Sequence, residues 1–215
     1  MSHTLPMAPS APLRRSGRRS SQERREAFMD AAVTAIHREG PKVSMEAIAR
    51  EAGVTKPIVY RLFGDRDGLL QALGERMAGE INANIAAALD RAPDDDPKAM
   101  LRTAIASYVE LIDTETDVYR FVTEQIGTGG GATLTGLAAE IARTVAVVLG
   151  EELRRAGADS GAAEPWAFGI VGMVHLSGDW WVRNRTLPRD RLVTYLVDLL
   201  WNGFGSLAPA EPDEA

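Results

Sequence analysis

Three glycines, Gly40, Gly53 and Gly64, divide the stretch from residue 21 to residue 64 into segments with room only for brief helices. In the first segment Phe28, Ala31, Ala32, Ala35 and Ile36 follow the i, i+3, i+4 spacing of an amphipathic helix, which Gly40-Pro41 ends. In the second, Ser44 is placed to N-cap a helix, Glu46 sits favourably in its first turn, and Met45, Ile48, Ala49 and Ala52 form its apolar stripe. Gly53 stops that helix, as a residue free to take positive φ should. Thr55 is placed to cap a third, and Pro57 falls early enough in it to be tolerated. The spacing predicts three short helices over about 21–63. The helix-Gly53-helix corner among them has the geometry of a helix-turn-helix.

Beyond Gly64 the helical patterns lengthen. One runs from about Asp65 to Arg91 and is broken by "APDDDP", where Asp96-Pro97 is a suitable opening for the next helix. Others follow at about 97–113, 117–126, 134–156, 163–184 and 188–206, with "GTGGG" at 127–131 as a glycine-rich loop. No segment has a period-two strand pattern, so the chain reads as all-α. The first 20 residues are rich in Pro, Ser and Arg without periodicity and read as a flexible basic arm; the tail "APAEPDEA" reads as disordered.

The third short helix carries the chemistry. Ile58, Val59, Leu62 and Phe63 fall on one arc of its wheel, and Pro57, Tyr60 and Arg61 on the other, with Lys56 at the flank. A solvated face more usually holds Glu/Lys pairs. A short hydroxyl and a lysine near a helix N-terminus suit phosphate, and an arginine further along has the reach and planarity to address guanine in the major groove. The charge supports a polyanionic partner. Residues 1–70 carry 12 Lys+Arg against 8 Asp+Glu, whereas residues 71–215 carry 12 against 22. An ordinary helical surface with chance clustering of charge is the competing account.

Other classes find little support. There are no cysteines, and His3, His37 and His175 share no ligand spacing, so neither a metal site nor a cofactor is expected. No apolar run spans a bilayer, and the N-terminus lacks the apolar core of a signal peptide, so the expected location is cytoplasmic. The dense carboxylates, Asp94–Asp96 and Glu151-Glu152, form no acid/base pair on one face, and "GTGGG" follows no strand. An all-α enzyme and a helical scaffold without DNA binding are the alternatives outside DNA recognition.

The run "AAVTAIHREGPKVSMEAIAREAGVTKPIVYRLFGDRDGLLQAL" resembles the N-terminal signature of the TetR family of bacterial transcriptional regulators. The likeness covers about residues 21–73, with Gly40, Ala52-Gly53-Val54, Tyr60, Phe63 and Leu69-Leu70 in register. It implies a helix-turn-helix DNA-binding domain at 21–68 and a helical ligand-binding and dimerisation domain at 69–207, between the arm at 1–20 and the tail at 208–215. Ser44, Tyr60 and Arg66 would then meet phosphate, and Thr55, Lys56 and Arg61 would work in the major groove. Pro57 departs from the family's usual Gly or Ala at a position of main-chain contact. Arg14, Arg15, Arg18 and Arg19 would enter the neighbouring minor groove.

The resemblance also implies a small-molecule input, usually to a repressor acting as a homodimer on a palindromic operator; activation by the same fold is the alternative. Met77, Ile81, Tyr108, Ile112, Phe121, Gln125, Met173 and Trp180 are the candidate ligand contacts, and their few polar neighbours favour an apolar or amphiphilic effector. Leu192, Tyr195, Leu196, Leu199 and Leu200 on the last helix, beside a helix bearing Gly169, Gly172, Gly178 and Trp180-Trp181, are the expected dimer surface. His175 is expected to be a hydrogen-bonded core residue.

Overall fold

The computed structural model describes residues 21–89, 96–125 and 131–203, the side chains of 88–89, 125 and 131–135 excepted. Among them the secondary structure is helical throughout: α1 Ser21–Glu39, α2 Met45–Glu51, α3 Lys56–Phe63, α4 Arg66–Leu89, α5 Pro97–Thr114, α6 Thr116–Gln125, α7 Gly131–Arg155, α8 Ala163–Asn184 and α9 Arg189–Asn202, with a 3₁₀ turn at Ser160–Ala162. The arm, the tail, Phe204, the 90–95 connection and most of the glycine-rich loop lie outside the described residues. Gly131 opens α7 instead of closing that loop.

The short helices stop where the glycines require. Gly40, Gly53 and Gly64 all have positive φ, and at the α2–α3 corner the Gly53 and Val54 amides close back on the Arg50 and Ala49 carbonyls. Ser44 caps α2 by accepting from the Ala47 amide at 3.1 Å. Thr55 sits at the N-cap of α3 with extended backbone, but its side chain makes no capping bond, so that expected cap is absent. Asp96 caps α5 through the Ala99 amide, and Pro97 follows in the first turn, where its missing N–H costs no helical bond.

α1 secures α3 from behind. The Phe28 and Phe63 rings lie 5.0 Å apart, and Arg25 stacks over Phe63 while donating to the Leu62 carbonyl at 2.9 Å. α4 is continuous across the boundary expected at residues 68–69 and packs on α3, α5, α6 and α7. α7 lies along α8, and α9 covers α5. One connected core runs from Phe28 and Val59 through Leu69, Leu73, Val109 and Phe121 to Val197. Among the described residues no helix is long and apolar enough to cross a membrane.

Three expected surface residues need correcting. Leu192 and Leu196 are buried within the protomer, where α9 covers α5, so they are not outward-facing. Leu200 is partly buried and faces an internal cavity. Gly178 does permit close helix approach: a Cβ there would come within 2.8 Å of Ile112 and 3.0 Å of Tyr108 on α5. Around Gly169 and Gly172 there is open space.

Candidate nucleic-acid interface and internal cavity

α3 turns Val59 and Phe63 inward and leaves Thr55, Lys56, Pro57, Tyr60 and Arg61 exposed. Tyr60 is 43% exposed, a high value for an aromatic ring with no fold-stabilising duty. Lys56 is ion-paired with Glu46 of α2 and approaches the Tyr60 ring to 5.8 Å. Hydrogen bonding between the two lowers the Glu46 pKa and raises that of Lys56. The pair is exposed, so solvent screens it and a phosphate can replace the carboxylate at little cost. Arg61 has no hydrogen bond or ion pair among the described residues and extends the same face. Ser44, also exposed, caps α2, the helix that the Lys56–Glu46 pair ties to the start of α3.

Arg66 is placed differently. Its guanidinium donates to the Val43 carbonyl at 3.1 Å and stacks 4.8 Å over the Phe121 ring of α6, and burial lowers its pKa. It therefore ties the α1–α2 connection to α6 instead of projecting toward a phosphate. Arg14, Arg15, Arg18 and Arg19 lie outside the described residues.

On the far side of α4 is a partly open cavity of about 380 Å³ bounded by α4, α5, α6, α7, α8 and the end of α9. Met77, Ile81 and Tyr108 line it as expected. Ile112 and Phe121 do not: both are fully buried, Ile112 against the Gly178 crossing and Phe121 beneath Arg66. Met173 and Trp180 also lie off its wall, Trp180 on the outer face of α8, and the Gln125 side chain is outside the described residues. His175 reaches the wall with its Nδ1 3.3 Å from the Tyr108 hydroxyl, and burial lowers its pKa. Sequence reasoning missed Tyr119, Thr123, Ile141, Val145, Trp166 and Leu200 as lining residues. Only Thr123, a hydroxyl on an otherwise apolar face of α6, offered a signal. Among the described residues no three His, Asp or Glu side chains gather as a metal site.

Residues 28–73 match the model described as bacterial regulatory proteins, tetR family, and residues 84–214 match a Tetracyclin repressor-like C-terminal domain. An uncharacterised HTH-type transcriptional regulator of Mycobacterium tuberculosis is 34% identical over 189 residues, 87% of this chain and 80% of its own. The transcriptional activator FasR of Mycolicibacterium smegmatis is 25% identical over 91% of this chain and 89% of its own. The crystal structure of the transcriptional regulator FadR of Bacillus subtilis, in complex with stearoyl-CoA, shares the fold with a TM-score of 0.65 at 18% identity, over 83% of this chain and 98% of that one. With an exposed reading helix in front and a helical body behind, the chain is a DNA-binding transcriptional regulator and belongs to the TetR family.

Proposed function

We propose that this regulator is a repressor that binds a palindromic operator as a homodimer and is released by an apolar or amphiphilic effector. Residues 21–68 serve DNA and 69–207 serve ligand and partner. The observation that carries the reading is the pairing of an exposed Thr55–Arg61 face with a 380 Å³ apolar cavity across one continuous helix, α4. The stearoyl-CoA complex of the fold neighbour favours an acyl-type ligand. FasR, described as an activator, supports activation as the second reading; in vitro transcription from the bound promoter separates the two by sign.

Ser44 and Tyr60 hold the phosphate backbone, while Thr55, Lys56 and Arg61 work in the major groove with Pro57 on the same face; the two reading helices of a dimer then lie roughly 34–36 Å apart, or a multiple of that. Arg61→Ala is expected to weaken operator binding by about 1–3 kcal/mol and to relax base preference, whereas Lys56→Ala weakens all sequences alike. Fluorescence anisotropy on operator and scrambled duplexes reads both. Unchanged affinity and preference in Arg61→Ala would remove it from direct readout.

The dimer surface is the outer face of α8 and α9. Leu176 and Trp180 lie one turn apart on α8, Tyr195 and Leu199 one turn apart on α9, and all four are exposed, Leu176 at 68%. Gly169 and Gly172 leave room on the same helix for a facing backbone. Leu176→Asp is expected to shift a micromolar dimer to monomer in sedimentation without lowering helicity. Leu196→Asp, buried inside one chain, should instead unfold it. A wild-type monomer at that concentration contradicts this arrangement.

Arg66 gives the halves a shared contact. Phe121, on which it stacks, is flanked in α6 by Tyr119, Val122 and Thr123 of the cavity wall, and Val43, to which it donates, directly precedes the cap of α2. A ligand that displaces α6 therefore acts on the segment that seats the reading helices.

A further inference from the structure

We propose that the cavity selects an uncharged amphiphile whose hydroxyl or carbonyl group is seated on Tyr119 and Thr123 at the inner end, with its apolar chain running out past Trp166 and Trp201. The assignment rests on the effector reading above and adds to it the polarity and direction of the ligand.

The cavity has two unlike ends. Along α5 it extends from Pro97 to Tyr108, eleven residue steps and hence roughly 16 Å of helix. Lys98 pairs with Asp198 at 3.5 Å, which brings the end of α9 and its Trp201 to the Pro97 end, and Trp166 lies nine residues before the His175 that meets Tyr108. Trp166 and Trp201 both line the cavity and are 55% and 48% exposed, so the Pro97 end is the mouth. At the other end Tyr119 is only 4% exposed. Between them the wall is Met, Ile, Leu, Val and Ala from α4, α5, α7 and α8.

The inner end is where polar atoms wait. The Tyr119 hydroxyl and Thr123 Oγ1 are buried and make no hydrogen bond. The Tyr108 hydroxyl is close to that of Tyr119 but completes no bond with it; it is directed to His175 Nδ1 instead. Buried hydroxyls are nearly always partnered, and two orphans on one apolar wall mark a place for a ligand's polar group. That group has to be neutral. No Lys or Arg lines the cavity among the described residues, and the sequence of 125–135, "QIGTGGGATLT", carries no ionisable side chain. Among the described residues the one carboxylate on the wall, Glu152, is ion-paired with Arg155. Burial, and for Tyr119 also the neighbouring Asp179, pushes the Tyr108 and Tyr119 hydroxyls well up, so both remain neutral donors. A carboxylate drawn into this end would lose its water without gaining a cation.

An acyl-CoA entering tail-first would set a methyl group against the two hydroxyls and leave its phosphates at a mouth that no Lys or Arg lines among the described residues.

Matched lauryl probes test this by calorimetry and thermal shift at neutral pH on the full chain. Lauryl alcohol and methyl laurate are expected to bind at least about tenfold more tightly than laurate or lauroyl-CoA. Tyr119→Phe and Thr123→Val should each lower lauryl alcohol affinity about tenfold while leaving lauryl chloride, which has the chain but no donor, unchanged. The chloride controls for a merely structural role, and the melting temperature of each unliganded variant checks folding. Equal or tighter binding of laurate or lauroyl-CoA, or an alcohol-to-chloride ratio unmoved in both variants, overturns the assignment while leaving an effector cavity. No binding by any probe overturns the effector reading itself, and this assignment with it.

Discussion

Gly68→Ala is expected to destabilise the protein by about 1–3 kcal/mol or more and, in the fraction that folds, to weaken operator binding although Gly68 is not on the exposed Thr55–Arg61 face. A Cβ at this position would lie 1.8 Å from the carbonyl oxygen of Phe63, which is backbone and cannot swing aside like a side-chain tip. Relief requires the end of α3 to move away from the start of α4. That end is already fixed on its other side, where Phe28 meets the Phe63 ring at 5.0 Å and Arg25 binds the Leu62 carbonyl. The methyl group therefore either unfolds the corner or reorients the reading helix. Gly79→Ala is the control: it lies in the same helix with nothing within 4 Å of the added Cβ, and should gain about 0.5–1 kcal/mol from helix propensity. Thermal melts and gel shifts on both variants decide. Equal behaviour of the two would mean that the α3–α4 corner yields at no cost.

The same corner explains how much the sequence could say. Helix limits near Gly40, Gly53 and Gly64 were legible because each glycine has a local stereochemical duty, and the inward arc of Val59 and Phe63 followed from spacing alone. The direction of Arg66 was not. Its partners, Val43 and Phe121, lie 23 residues before and 55 after it, and nothing local distinguishes an arginine for phosphate from one for an aromatic face. α9 failed for a related reason. It is apolar on two sides, with Leu192, Val193, Leu196 and Val197 against the chain's own core and Tyr195 and Leu199 outward, so periodicity gives a helix without saying which face is which. Cavity and core were likewise indistinguishable, because Met77 beside the space and Phe121 beside the core obey one pattern. Wall and filling differ by what is missing between helices, which no residue type encodes.

Arg66→Met is expected to separate effector binding from effector response. Methionine retains an apolar contact with Phe121 but cannot donate to the Val43 carbonyl, so the α1–α2 connection loses its hydrogen bond to the side chain that stacks on α6. In the wild type, coupling of about 1–3 kcal/mol would make a saturating effector weaken operator binding some 5–150-fold. In Arg66→Met the effector should still raise the melting temperature, since it still binds the folded state, while the release factor falls toward one. A ligand shifts the conformation only by its differential affinity for the two states, and the variant removes the contact proposed to carry that difference to the α1–α2 connection. Reciprocity supplies an independent reading: operator DNA should lower effector affinity in the wild type by the same factor, and lose that influence in the variant. A second link, His37 to Glu115 at 2.8 Å, joins α1 to the α5–α6 junction, but it is largely exposed and screened. Glu115→Gln should therefore change the release factor far less than Arg66→Met. If Arg66→Met leaves release undiminished while Glu115→Gln abolishes it, the signal passes through α1 and not through the base of α4.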